Sequence, residues 1–167
     1  MKTGKTVKVL LTAATAAGML AGCGSKTDTD TFRFASELDI QGMDSTVVDD
    51  GMSFNAVHAI TDGLTAVNEK GKTAPAIAKS WDVSDDGKTY TFHLRNAKWS
   101  NGDKVTANDF VYSWRKIIKN AGNYAYMLGS GGASVKNADA LMELGANATD
   151  EQMATLGVTA KDDQTLV

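Results

Sequence analysis

The apolar and polar positions in residues 99–119 predict a turn followed by an amphipathic helix. Asn101-Gly102 is a turn signal, because Gly, and to a lesser extent Asn, tolerates positive φ angles. Thr106 precedes Asp109 by three residues, so we expect the hydroxyl to accept an orphan amide and the carboxylate to lie in the polarised first turn. Gly122 is expected to end the helix. The apolar residues at helical spacing form one stripe and predict a core face: Phe110, Val111, Trp114, Ile117 and Ile118.

Strand patterns occur on both sides of this helix. Residues 31–35 alternate apolar and polar side chains and predict a first strand. Residues 64–67 predict a short strand that a turn at 68–71 reverses. Two hairpins are also predicted. The first joins 81–83 to 89–94 and places Tyr90, Phe92 and Leu94 on one face and His93 on the other; the second joins 158–160 to 165–167.

Further helices are predicted from apolar residues at a spacing of three or four. One is indicated by Phe54, Val57, Ile60 and Leu64 at helical spacing, and Gly63 can end it. Pro75 is expected to start a brief helical turn at 76–79. Two more follow at 137–144, ended by Gly145, and at 150–156, capped by Thr149. Residues 37–51 and the Gly-rich 120–134 predict loops. These patterns together predict an α/β fold.

Composition narrows the classes of function. The chain has 167 residues, 43% of them hydrophobic, and its net charge of -3 offers no basic field for nucleic acid. His58 and His93 are far apart, with no ligand set at metal spacing and no activated Ser or Cys. We therefore expect no metal, no cofactor and no enzymatic activity.

The amino-terminal residues are typical of a secretory signal. Residues 1–22 carry early lysines and then a short, Ala-rich apolar core, which is too short for a spanning helix. Residues 20–23, Leu-Ala-Gly-Cys, resemble a bacterial lipobox, which would make Cys23 an acylated membrane anchor. Residues 23–30 are small or charged and are expected to form a flexible tether. The alternative is a free Cys beside an ordinary cleavage site. Either interpretation places the protein outside the cytoplasmic membrane.

A dense set of positions across the first hairpin and the central helix resembles the peptide-binding family of ABC-importer solute receptors, which includes the oligopeptide-binding proteins. Most of these residues are expected to serve packing, so they indicate the fold and not the ligand. They are Trp81, Asp86, Gly87, Tyr90, Phe92, Leu94, Arg95, Trp99, Gly102, Thr106, Ala107, Asp109, Phe110, Tyr112, Ser113 and Trp114.

The resemblance implies a two-lobed, periplasmic-binding-protein-like (type II) fold with a mixed sheet and flanking helices. Receptors of the family are roughly three times longer, so residues 31–167 are expected to form the leading, incomplete part of lobe I. The resemblance also implies a monomeric receptor that binds oligopeptides, passes them to the permease subunits of an ABC importer and is held at the membrane through Cys23.

The resemblance also suggests ligand-binding positions. In the family, an acidic residue in the loop after the first strand lies near the bound peptide, and the matching loop position is Asp49, with Asp50 and Gly51 beside it. A Tyr shortly after the central helix contacts peptide, and Tyr124 matches it. The alternatives are that the two acids only cap the next helix and that Tyr124 packs within the lobe.

Three other functions stay open at this point. The same family includes receptors for nickel chelates, haem, glycans and peptide pheromones. An extracytoplasmic enzyme would need a nucleophile with a base or a metal cluster. A nonfunctional remnant of a disrupted gene would expose sheet edges and aggregate.

Overall fold

The computed structural model describes residues 35–120 and 122–167, and residues Ser36–Val167 form one unit. The predicted signal segment, tether and strand at 31–35 lie outside the described residues, except for Ala35. The α-helices described are α1 (Gly51–Ile60), α2 (Ala107–Lys119), α3 (Ala138–Leu144) and α4 (Asp150–Met153). The strands are β1 (Thr65–Val67), β2 (Thr73–Pro75), β3 (Ala78–Val83), β4 (Tyr90–Leu94), β5 (Ala160–Asp162) and β6 (Thr165–Leu166).

The strands form two sheets. β1 and β2 pair as a small hairpin, and the larger sheet has the order β3-β4-β6-β5. All the strand pairs of the described residues are antiparallel. β4 pairs with β6, which lies far along the chain, so the two hairpins predicted from the sequence become one sheet. The α/β fold class is therefore confirmed.

The β3–β4 hairpin has the predicted turn at residues 84–89. The Ser84 amide donates to the Thr89 carbonyl at 2.9 Å, and Gly87 adopts a φ of +70°. Opposite positions pair Trp81 with Phe92, and the rings of Phe92 and Tyr90 lie stacked at 6.3 Å. The hairpin thus presents an aromatic face, as its alternating pattern predicts.

Helix α2 begins where the capping signal predicts. The Asp109 carboxylate accepts the Thr106 backbone amide at 2.7 Å and the Thr106 hydroxyl at 3.1 Å. The Thr106 side chain in turn accepts from the backbone at Asp109, so the reciprocal capping box that the sequence predicted is present. The helix ends at Lys119, and the Gly122 amide closes back on the Ile117 carbonyl at 3.1 Å.

The hydrophobic core lies between α2 and the larger sheet. Ile118 of α2 is fully buried, and Leu94 of β4 and Leu166 of β6 are each 1% exposed. Leu156, which follows α4, is 2% exposed and belongs to the same cluster. Removing four such side chains from water is the main force that holds the helix on the sheet.

Three predicted helical segments are corrected. Residues 76–79 do not form a helical turn, because the Ile77 and Ala78 amides donate to the carbonyls of Gly63 and Leu64, at 3.1 and 2.9 Å, and lead the chain through a bend into β3. Helix α1 ends at Ile60, before the predicted Gly63, because Thr61 is extended and its hydroxyl bonds back to the helix. Helix α4 is also shorter than predicted and ends at Met153.

Candidate functional site

The acidic pair lies at the start of α1. Asp50 is the N-cap residue: its backbone is extended, and its Oδ1 accepts the Ser53 amide at 2.8 Å. The capping role that the sequence offered as an alternative is therefore present at Asp50. Capping occupies Oδ1, while Oδ2 is buried and has no hydrogen-bond partner among the described residues. A second role for the same carboxylate is thus left open by its geometry.

Ser53 links the start of α1 to the loop that precedes it. Its side chain is fully buried, and its Oγ accepts the backbone amides of Gln41 at 2.9 Å and Gly42 at 3.2 Å. Hydrogen bonding to Ser53 lowers the pKa of Asp50 below its ordinary value. The carboxylate at the helix start is therefore negative at neutral pH, where the helix dipole also favours an anion.

Asp49 is exposed and joins the loop before α1 to the loop after α2. Its Oδ2 accepts the side-chain amide of Asn123 at 2.9 Å. Asn123 directly precedes Tyr124, so this bond brings the two predicted ligand-binding segments together although they lie 74 residues apart in sequence. Within residues 35–120 and 122–167, Asn123 is the side-chain partner of the Asp49 carboxylate, through Oδ2.

Tyr124 lies over α1. Its ring meets the ring of Phe54 edge to face, with centroids 4.9 Å apart. Tyr126 lies further along the same loop, with its ring 6.4 Å from that of Tyr124. Tyr124 is half-buried. One side of its ring packs within the lobe, which is the alternative that the sequence offered, and part of the ring stays exposed.

Gly51 provides a bare stretch of backbone between the acids and the aromatic rings. A Cβ built on Gly51 would meet no atom within 4 Å. A ligand can therefore approach the main chain at this position without a side chain in its way. Together the four residues make a face with two carboxylates, an open backbone and an aromatic surface, suited to a flexible ligand with amide donors and a cationic group.

Sequence reasoning missed Asn123, Phe54 and Ser53 as parts of this face. Ser53 stands three residues after Asp50, which is the spacing of a helix cap and could have indicated it. Asn123 and Phe54 carry no such local signal, because their partners lie about seventy residues away along the chain.

The two histidines lie outside this face or at its rim. His58 is exposed on α1, with its ring 6.4 Å from that of Phe54, and His93 bonds Asp82 at 2.7 Å across the hairpin. Within residues 35–120 and 122–167, no three acidic, His or Cys side chains are grouped as metal ligands. In the same residues, no helix has the length and apolar character needed to cross a membrane.

A shallow cavity lies elsewhere, between the loop after β4, the start of α2 and the β5–β6 turn. It is lined by residues that include Lys98, Lys104 and Asp163, and none of the four candidate ligand-binding residues reaches it. Asp49 and Gly51 of the candidate face are exposed and lie outside this cavity.

Comparison with solved structures identifies the class of protein. An oligopeptide ABC transporter substrate-binding domain from Bacillus anthracis superposes with a TM-score of 0.70 at 36% identity, over 80% of this chain and 24% of that one. Haemophilus influenzae OppA in complex with RPPGFSPFR gives a TM-score of 0.67 at 39% identity, over 75% of this chain and 24% of that one. The chain therefore has part of the two-lobed type II solute-binding fold.

Residues 72–167 match the model of the bacterial extracellular solute-binding proteins, family 5 Middle, and the chain belongs to this family. It is 40% identical over 167 residues to a dipeptide-binding protein of Lactococcus lactis, a match that covers 98% of this chain and 29% of that protein. The resemblance read from the hairpin and the central helix is thus confirmed, and the chain spans less than a third of that relative.

Proposed function

We propose that the protein is an extracytoplasmic receptor that captures oligopeptides and delivers them to the permease of an ABC importer, and that this chain provides one wall of the peptide cleft. The observation that carries the proposal is the bond between Asp49 and Asn123. It joins both predicted ligand-binding segments into one face beside Tyr124. Family membership and the peptide-binding relatives support the same ligand class.

The chemistry of the face suits peptides of many sequences. Main-chain amides and the terminal ammonium are common to all peptides and can meet the exposed carboxylate of Asp49, next to the helix cap that Asp50 forms. The exposed part of the Tyr124 ring offers a flat apolar surface that does not depend on one side chain. Ligand contacts from a second lobe would favour a closed receptor, which is the form a permease can recognise.

Calorimetry on the receptor that contains this chain tests the ligand class. The probes are a tryptic digest of casein, nickel chloride and haemin, each titrated separately. We expect saturable heat with the digest alone. Saturable heat with nickel or haemin, and none with peptides, would show that the proposed ligand class is wrong and that the receptor binds nickel or haem instead.

Gly51 allows a sharper test of the site. Gly51→Leu places a side chain where a Cβ meets nothing in the free protein, so stability should be kept. Peptide affinity should fall at least about tenfold, because the added side chain occupies the approach to the backbone. Ala59→Leu on the exposed side of the same helix is the matched control and should bind as the wild type does. Equal affinity in the two variants would place the ligand elsewhere.

We also propose that acylation of Cys23 holds the receptor, as a monomer, at the outer face of the cytoplasmic membrane. Cys23 is the only Cys of the sequence, so thioether-linked label can be assigned to it without ambiguity. Cells grown with an alkyne fatty acid should label the wild type and not Cys23→Ser. Labelling of Cys23→Ser equal to that of the wild type would contradict the lipid anchor.

A further inference from the structure

A line of side-chain contacts fastens the loop before α1 to the end of α2 and the loop after it. We call it the seam, and it consists of Asp44, Thr46 and Asp49 on one side and Lys116, Asn120 and Asn123 on the other. Lys116 Nζ bonds Asp44 Oδ2 at 2.6 Å, Asn120 bonds the Thr46 hydroxyl at 3.4 Å, and Asn123 bonds Asp49 at 2.9 Å.

Asp44 lies at the centre of the first contact and uses both carboxylate oxygens. Oδ1 accepts the Thr46 amide at 3.0 Å and the Thr46 hydroxyl at 2.7 Å, while Oδ2 accepts Lys116. The Asp44 carbonyl also accepts the amides of Val47 and Val48. Lys116 of α2 thus holds Asp44, whose hydrogen bonds organise the turn. The hydrogen bond from Lys116 also contributes most to lowering the pKa of Asp44 to about 2.

The turn at residues 44–48 packs closely against the end of α2. Thr46 is 6% exposed and Val48 is 7% exposed, although they belong to a loop. The Thr46 carbonyl approaches Gly122 so closely that a Cβ there would lie 2.2 Å from its oxygen. Asp49 and Asp50 follow this seated turn directly, so a shift of the turn moves both carboxylates.

We propose that Lys116 is a positioning residue for ligand binding, which holds Asp49 and Asp50 beside Tyr124 through its ion pair with Asp44 and touches no ligand itself. The inference rests on the proposed function for its ligand. Lys116 is also distinguished from its neighbour on the same helix. Lys119 bonds Asp150 at 3.3 Å, where the Asp150 side chain is 93% exposed, so that pair fastens no ligand-binding segment.

Two measurements on the wild type and on Lys116→Met, Lys116→Arg and Lys119→Met test the proposal. The first is amide hydrogen exchange of Thr46, Val47 and Val48 without ligand. The second is calorimetric affinity, in the receptor that contains this chain, for one synthetic peptide taken from the casein digest. In Lys116→Met, we expect these amides to exchange faster and the peptide to bind about three- to tenfold more weakly. Lys119→Met should behave as the wild type does, and Lys116→Arg should stay close to it.

The outcomes separate the two proposals. Unchanged exchange in Lys116→Met, or faster exchange with unchanged affinity, overturns the positioning role while the receptor function stands. A wild type that binds no peptide overturns the proposed function, and the exchange rates then still decide whether Lys116 holds the turn. If Lys119→Met lost as much peptide affinity as Lys116→Met, the loss would come from removing a positive charge from α2. That result would also overturn the proposal.

Discussion

The Tyr124 ring meets the Phe54 ring edge to face, at 4.9 Å between centroids and 88° between planes. This pair joins the loop after α2 to the helix that begins at the acidic pair. It fixes the orientation of Tyr124, so under the proposed function the exposed part of its ring would meet peptide without a large loss of side-chain entropy on binding.

If the Tyr124 ring is the ligand contact, Tyr124→Phe should keep most of the peptide affinity, because the edge-to-face pair survives. Tyr124→Ala should bind about tenfold more weakly, since both the ring contact and the pair with Phe54 are lost. Calorimetry with a single peptide measures both. Tyr90→Ala removes an exposed ring of the hairpin and is the control. A Tyr124→Phe variant as weak as Tyr124→Ala would assign the contact to the hydroxyl.

Gly122→Ala should destabilise the protein. The added methyl would lie 2.2 Å from the Thr46 carbonyl oxygen, so the loop or the helix end must move, at a cost of about 1–3 kcal/mol. Urea denaturation measures the change. Gly51→Ala, where the methyl meets open space, is the control and should be neutral or stabilising. Equal stability of the two variants would mean that the seam is not closely packed in solution.

The ion pair of Asp44 with Lys116 predicts a dependence of stability on pH. The pKa of Asp44 is lowered from 3.8 to about 2, so its contribution is fully present above 3.8 and is lost as the pH falls through about 2. The Asp44 side chain is 43% exposed, and solvent screening limits the contribution to about 1 kcal/mol or less. The free energy of unfolding of Asp44→Asn should therefore lie below that of the wild type at pH 7. The two should converge at acidic pH, and a constant difference down to the lower pKa would exclude the carboxylate as its origin.

The cap of α2 predicts a further loss. Asp109→Ala removes the acceptor of the Thr106 amide and hydroxyl and should lower the free energy of unfolding by about 1 kcal/mol. Asn108 lies in the same helical turn and is exposed, so Asn108→Ala is the matched control. The midpoints of urea denaturation compare the two, and the prediction fails if Asn108→Ala loses as much as Asp109→Ala.

The features predicted correctly from the sequence are those that depend on residues close together along the chain. The start of α2, its buried stripe through Ile118 and the turn at Gly87 follow from residues a few positions apart, and the structure has all of them. Pro75 misled the prediction because it is as compatible with the end of a strand as with the start of a helix. Backbone bonds from Ile77 to the distant Gly63 decided the outcome.

The candidate face was predictable only in part. Asp49 and Tyr124 came from a family resemblance, and no local pattern predicts that they lie together. Their meeting depends on Asn123 and Phe54, whose partners are distant along the chain, and no periodicity or spacing encodes such contacts. The direct test of their ligand role remains the binding of the Gly51 and Tyr124 variants.

The seam links residues that are 72 to 74 positions apart, as the pairing of β4 with β6 does, whereas α2 and the three hairpins close over short distances. Contacts across so long a separation carry a larger entropic cost of closure and form after local ones. A nascent chain therefore cannot complete the candidate face until Asn123 has emerged, and it completes the larger sheet only later, when β6 has followed to pair with β4.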